Sequence, residues 1–475
     1  MARSDNADPE SASTTPHGRT EGSPSNPRPE RDRPALVWIF SAFIAVVTVA
    51  AAGGLVWQIG AAASPQTGTF TPPEAYPPAE PPEVLAGADE EAPIPDLSAV
   101  MPELLSDPRF SGELSAVFAD AFTGEILFEQ TGSTPMTPAS SMKVVTAVAA
   151  LTHLGAEYRI PTTVVEGPDD DSVVLVGGGD VALTVDGEGY YGTGASLTEL
   201  AEAVLEARDG IAPTTLYLDT SLFEDTVNAP GVPMSDLDIY TAPAAPLMLD
   251  GGRIDNTEHY TPHHQDPAME AATVFAELLG AGEVVEGTAA EDAAALATVY
   301  SNPMTSLVDM LILTSDNELA DAVAFQTALA VEGEMTWAAI GRAHMATLET
   351  LGVDTAGLVF NDGSGLSPAN RITANAFVQL LTAAASSQAS SVFQSMPVAG
   401  WSGSLAERFE ASSEGEGVVR AKTGTLTGVS SLTGAVDTDD GRLIVFSMIS
   451  NGAANPQEVE TAMDEVTTAV SMCGC

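Results

Sequence analysis

The chain has 475 residues, enough for two or three domains, and 44% of them are hydrophobic, so most of it can bury a core. Sixteen lysines and arginines stand against 66 acidic residues, a formal charge of −50 that repels phosphate and excludes a nucleic-acid partner. Fourteen of those cations are arginines; the only two lysines are Lys143 and Lys422.

Residues 1–34 are polar and rich in Ser, Pro, Arg and acids, the composition of a disordered tail. Residues 35–63 carry no charge at all. That run exceeds the roughly 20 residues that span a bilayer and the 7–15 of a secretory signal core. Arg28, Arg31 and Arg33 precede it, which predicts a membrane anchor with a cytoplasmic N-terminus and an exported remainder. A signal cleaved at Ala61-Ala62-Ala63 is the alternative, and it exports the chain equally. Residues 64–96 hold nine prolines and read as a stiff linker, with a reach of roughly 100 Å at about 3.1 Å per residue.

The folded part is expected from about Leu97. Glu113–Asp120 and Glu125–Gln130 read as two strands joined by a turn at Phe122-Thr123-Gly124. A helix is predicted over 139–154, with Thr137 as cap, Pro138 at its first position and Gly155 as its stop. Val173–Val176 reads as a strand, followed by three glycines, and 197–208 as a helix. Helical runs are predicted at 304–332 and 336–351, strands at 419–435 and 442–449 around the turn Asp439-Asp440-Gly441, and a closing helix at 456–471. Strands at both ends of the folded part can pair into one sheet covered by helices. Residues 97–157 and 290–475 would then form one domain, and 158–289 an insertion.

The chemistry lies around the two lysines. Ser140 and Lys143 are three apart, hence neighbours on one helix face, with Ser140 in a first turn whose N–H groups are unpaired. A serine nucleophile needs a base beside it, and a lysine serves once its pKa is lowered. Exposed N-terminal N–H groups can stabilise an oxyanion. Lys422-Thr423-Gly424-Thr425 lies on a predicted strand and combines a cation with two hydroxyls, a receptor for a carboxylate; Gly424 would let the backbone approach a ligand. Ser315-Asp316-Asn317 adds a hydroxyl and a carboxamide near the 304–332 helical run.

In that order, Ser-x-x-Lys, Ser-x-Asn and Lys-Thr-Gly are the motif set of penicillin-binding proteins and class A β-lactamases. The chain resembles the D-alanyl-D-alanine carboxypeptidase/endopeptidase family, the low-molecular-mass class C penicillin-binding proteins. The resemblance covers about 97–452 and includes Pro138–Lys143, Leu175–Asp180, Leu218–Phe223, Tyr240–Pro243, Asp362–Ser367 and Arg420–Gly428. It implies an α+β fold with a five-stranded antiparallel sheet between helical layers. It implies Ser140 as nucleophile and Lys143 as general base, with Ser315 and Lys422 relaying the proton to the leaving group. Asn317 would hold the acyl side chain, the N–H groups of Ser140 and Thr425 the oxyanion, and Lys422, Thr423 and Thr425 the terminal carboxylate. The implied substrates are peptidoglycan stem peptides ending in D-Ala-D-Ala, with β-lactams as acylating inhibitors and no cofactor. One departure is Pro368, where relatives often carry Arg; the nearest arginine is Arg371.

Two rivals carry less. A β-lactamase would need its deacylating glutamate in a Glu-x-x-Leu-Asn segment, which is absent. A silent wall-binding or β-lactam-sensing scaffold would not need lysine at these two places. His259 and His263 have metal-like spacing, but Pro262 falls inside it, so they read, with His264, as a polar loop. His153 and His344 read as helix-face residues. Cys473 and Cys475 would make a strained disulfide and read as a frayed end.

Overall fold

The computed structural model describes residues 88–223, 228–234, 236–410 and 412–473. The predicted tail, membrane anchor and most of the proline-rich linker, together with Cys475, lie outside the described residues. Among the described residues no helix is long and apolar enough to cross a membrane.

The central sheet has five antiparallel strands: β1 (Glu113–Asp120), β2 (Ile126–Gln130), β3 (Val419–Leu426), β4 (Val429–Asp437) and β5 (Leu443–Asn451), in the order β3-β4-β5-β1-β2. The two ends of the folded chain therefore meet in one sheet, as their strand patterns predict. Alternate residues of a strand face opposite sides, and here both sides are covered. Val117 and Ala119 join the core on one face, with Phe377 and Leu381 of the helix Ala374–Ala385. Ala116 and Phe118 join the core on the other, with Val459, Met463, Val466 and Val470 of the closing helix Pro456–Ser471. Double coverage explains why β1 is apolar along nearly its whole length instead of alternating. At the end of β1, buried Asp120 pairs with buried Arg442, which also reaches the carbonyl of Ala92.

The middle of the chain forms a second five-stranded sheet, in the order Glu283–Glu286, Thr215–Asp219, Ser172–Val176, Pro161–Glu166, Ala295–Tyr300. The first three strands are parallel to one another and the last two pair antiparallel. Helices Leu197–Ala207 and Pro267–Leu279 bury their apolar faces in the same core. This sheet runs past residue 289, because Ala295–Tyr300 pairs with Pro161–Glu166; short, half-buried and polar-flanked, that strand carries little signal of its partner.

Three further expectations are corrected. The helical run 304–332 is two helices, Met304–Leu313 and Asn317–Glu332, separated by Thr314-Ser315-Asp316. The strand expected over 419–435 is β3 and β4 with a turn at Thr427-Gly428, Gly428 taking φ +72°. The helix expected over 139–154 is a short 3₁₀ turn, Ala139–Met142, that leads into the α-helix Lys143–His153.

Candidate active site

The 3₁₀ turn is where Ser140 sits, and the sheet accounts for its shape. Ser431 Oγ on β4 donates to Pro138 O at 2.6 Å and lies 2.8 Å from Ser141 Oγ. Gly424 on β3 packs so closely that a Cβ there would lie 2.6 Å from Pro138 O and 2.8 Å from Ser141 N. Gly424 thus admits the strand to the serine turn, not a ligand to the strand. Gly365, at φ +85°, makes a second close approach, since a Cβ there would lie 2.0 Å from Ala139 O. Held from both sides, the turn tightens, with Ala139 at φ +50°. Thr137 does not cap it: its hydroxyl donates to Pro368 O at 3.3 Å and accepts from Arg371 Nη1 at 2.9 Å. Arg371 also bonds the carbonyls of Pro368 and Asn370, so it serves to lock its own loop.

In a 3₁₀ turn residues i and i+3 eclipse, which stacks Lys143 under Ser140. The amine is fully buried, with Nζ 3.2 Å from Ser140 Oγ, 2.7 Å from Asn317 Oδ1 and 2.8 Å from Ser364 O. Asn317 Nδ2 donates to Tyr240 O at 2.8 Å, which orients the amide so that its oxygen faces the lysine. Asp321 Oδ1 fixes the Ser364 carbonyl by accepting from the N–H groups of Gly363 and Ser364, both at 2.8 Å. Asp362 holds the other side of that loop through Gly365 N, Ser367 N and Asn370 Nδ2. Burial lowers the Lys143 pKa to about 8, against the opposing pull of Asp321, Asp316, Asp362 and Glu318.

Ser315 occupies the break between two helices at φ +62°, an uncommon conformation for a residue with a side chain. Asp316 begins the second helix by accepting from Leu319 N at 2.8 Å. Its other partners come from the middle of the chain: Arg253 Nη2 at 2.5 Å and Tyr191 OH at 3.0 Å. Arg253 and Asp316 are both buried, and Arg253 lies 3.8 Å over the Tyr190 ring. Burial works to raise the Asp316 pKa, but the Arg253 guanidinium and the Leu319 N–H together outweigh it and keep the carboxyl below its usual range. The break that exposes Ser315 is therefore clamped by an arginine 62 residues upstream in sequence terms close to none of the three motifs.

Lys422 is also fully buried and donates to Thr423 O at 2.7 Å. Burial, and then the charge of Lys143, push its pKa well below the ordinary value. Thr423 Oγ1 lies 2.6 Å from Ser404 Oγ, and Thr425 Oγ1 donates to Glu460 Oε1 at 2.7 Å.

A cleft of about 630 Å³ opens over these groups, with Ser140, Ser315, Thr423 and Thr425 on its surface. The three motifs meet in one place, although Ser140 and Lys422 are separated by most of the folded chain. Lys143, Asn317 and Lys422 support the lining from below. The cleft also takes Tyr190, His259 and Tyr260 from the inserted region, and Ser404, Arg408 and Glu460 from the C-terminal part. None of these belongs to a recognised motif, so the sequence alone did not single them out for the cleft. His259 Nδ1 bonds the Tyr190 hydroxyl, His263 Nδ1 faces Asp238 O at 2.8 Å, and His264 N donates to Gly252 O. The two spaced histidines thus turn to different partners.

Comparison with known proteins agrees with this arrangement. The family model described as the D-Ala-D-Ala carboxypeptidase 3 (S13) family matches residues 97–263 and 255–470. A carboxypeptidase of Mycobacterium tuberculosis is 34% identical over 422 residues, covering 84% of this chain and 90% of the relative. The carboxypeptidase DacB of Mycolicibacterium smegmatis is 34% identical over 460 residues, covering 92% and 98%. A D-alanyl-D-alanine carboxypeptidase of an Actinomadura species is 31% identical over 447 residues, covering 74% and 80%. The fold is similar to the crystal structure of penicillin binding protein 4 (dacB) from Haemophilus influenzae, with a TM-score of 0.68 at 20% identity over 78% of this chain and 99% of that one. With the motif residues assembled in one cleft and the match extending over nearly the whole described chain, the protein belongs to the D-Ala-D-Ala carboxypeptidase 3 (S13) family.

Proposed function

We propose that the chain is a serine D-Ala-D-Ala carboxypeptidase, with endopeptidase action on D-alanyl cross-links as a second use of the same site, acting on peptidoglycan stem peptides. The observation that carries this is the Lys143 amine placed 3.2 Å from Ser140 Oγ in a buried setting. Asn317 Oδ1 and Ser364 O are acceptors only. A neutral amine has two N–H bonds and one lone pair, so both N–H bonds go to those oxygens and the lone pair faces the Ser140 hydroxyl. That is the geometry of a general base.

Ser140 Oγ then attacks the carbonyl between the two D-alanines and gives its proton to Lys143. The C–N bond breaks, and the leaving D-alanine takes a proton through Ser315 and Lys422. Asn317 would hold the acyl side, the N–H groups of Ser140 and Thr425 the oxyanion, and Lys422, Thr423 and Thr425 the end that bears the carboxylate. Water hydrolyses the Ser140 ester and restores the enzyme. A β-lactam acylates the same oxygen and leaves slowly. The uncharged run at 35–63 and the proline-rich linker support a membrane-tethered protein with its catalytic part outside the membrane.

Intact-protein mass after benzylpenicillin tests the assignment. A persistent adduct on the parent chain, absent from Ser140→Ala, is expected. Consumption of the drug without an adduct would favour a β-lactamase, and an untouched drug would remove the catalytic assignment.

A further inference from the structure

The cleft is larger than a departing D-alanine needs. Its volume is about 630 Å³, within the range of sites that hold drug-sized ligands. The space lies on the leaving side of Ser140. Ser315, Thr423 and Thr425 line it, whereas Asn317, the acyl-side residue, is not among the described residues that do. One wall is charged. Arg408 and Glu460 border it with Lys422 beneath, and Arg408 keeps Nη1 as a donor, because Asp464 and Glu460 O engage its Nε and Nη2. With Lys422 Nζ and the two threonines, this wall suits a free carboxylate.

A second wall comes from the inserted region and is aromatic. Arg253 pairs with His263 and Ile254 N donates to Pro262 O at 3.0 Å, so residues 254–262 form a loop closed at a buried base. That loop puts His259 and Tyr260 on the cleft. The Tyr260 ring centroid lies 4.3 Å from that of His259 and 5.2 Å, edge-on, from that of Tyr240. Tyr190 completes the wall, bonded through its hydroxyl to His259 Nδ1 and seated 3.8 Å from the buried Arg253 guanidinium. Burial lowers the His259 pKa and lifts that of Tyr190 to about 12, so both rings are neutral at pH 7. Tyr260 is held by these stacks and is still 60% exposed, a large apolar face left for a ligand to cover.

Besides the scissile nitrogen and the carboxylate, the leaving residue has one further substituent, its side chain. With the carboxylate on the charged wall, the neutral aromatic wall is the surface left to receive that chain. In D-alanine it is a methyl group, too small to fill the space. In a D-alanyl cross-link the leaving residue continues into a second stem peptide, which has the length to cover the rings. We infer that Tyr260, with His259 and Tyr190, receives the second stem of a cross-linked peptide, and that Tyr260 is a specificity-determining residue for endopeptidase over carboxypeptidase action. The inference rests on the peptidase reading of the cleft and goes on to name the wall that separates its two substrates.

The test is steady-state hydrolysis of two peptides with the same donor stem. One ends in D-Ala-D-Ala. In the other, the donor D-alanine is joined to a leaving residue that carries a free α-carboxylate and, on its side chain, a second stem. The quantity read is the kcat/KM ratio, dimer over monomer. Tyr260→Ala is expected to lower that ratio about tenfold, chiefly through a higher KM for the dimer. Tyr260→Gln, which keeps a long chain but no ring, is expected to do the same, and Tyr260→Phe to keep the parent ratio. An unchanged ratio in the alanine and glutamine variants, an equal fall in the phenylalanine variant, or a parent that releases D-alanine and leaves the dimer intact overturns the inference. The final extent of benzylpenicillin labelling reports on Ser140 separately. Labelling and hydrolysis with an unchanged ratio defeat the inference alone, whereas no labelling and no hydrolysis by the parent defeat the peptidase reading and the inference together.

Discussion

In the proposed reaction Lys143 is the residue on which the chemistry turns, and burial and its acidic neighbours define how it titrates. Burial disfavours the ammonium, and four buried acids favour it; the balance is a pKa of about 8. The base form exists above that value, so acylation should strengthen as pH rises. The second-order rate constant for benzylpenicillin acylation is expected to fall about tenfold per pH unit below roughly pH 7, and to level off above pH 9. A flat profile from pH 6 to 9 would remove Lys143 as the titrating base. Lys143→Arg should lower that rate by a factor on the order of 10³, since a guanidinium stays protonated. At this scale much was legible: Ser140, Lys143, Ser315, Asn317, Lys422, Thr423 and Thr425 could all be named from motif order. What could not be read was the state of Lys143, because Asp362 and Ser364 approach it through a loop more than 200 residues away and Asp321 from the helix Asn317–Glu332.

Among the elements, breaks and close approaches matter more than regular runs. The apolar pattern from 304 to 332 continues smoothly across Ser315, so periodicity reads one helix; the cap at Asp316 and its buried partner Arg253 impose the break. Likewise 139–154 has an unbroken helical pattern, and contacts from Ser431 of β4, Gly424 of β3 and the Gly365 loop hold its first turn as 3₁₀. Gly424 permits that contact. Gly424→Ala would set a Cβ 2.4 Å from Ser431 Oγ and within 3 Å of the serine turn, pushing β3 and the turn apart. The expected outcome is a loss of acylation rate of about 100-fold or more with a folded protein, read by the kinetics of penicillin labelling beside a thermal melt. A variant that acylates at the parent rate would show that the close approach does not set the site.

For the molecule as a whole, the two lysines are buried inside a chain with a formal charge of −50. Self-repulsion of that charge opposes compaction and is screened by salt, with a Debye length of about 10 Å at 0.1 M and 3 Å at 1 M. The thermal midpoint should therefore rise by several degrees, roughly 5 °C, between 0.05 and 0.5 M sodium chloride. A midpoint that stays level or falls would mean that the acidic groups are already compensated locally, as Arg109 is with Asp107 and Glu465 and Arg408 with Asp464.

The sequence by itself determined the family, the three motif triplets and the pairing of the two chain ends in one sheet. These are carried by short motifs and by runs of apolar strand residues, and such signals are local. Only the tertiary structure decided that Arg253 clamps Asp316, that Tyr190, His259 and Tyr260 of the inserted region wall the cleft, and that Glu460 holds Thr425. Each of these joins residues far apart in the chain, through single side chains of common type. Their meaning comes from the packing that brings them together, and no spacing along the sequence records it.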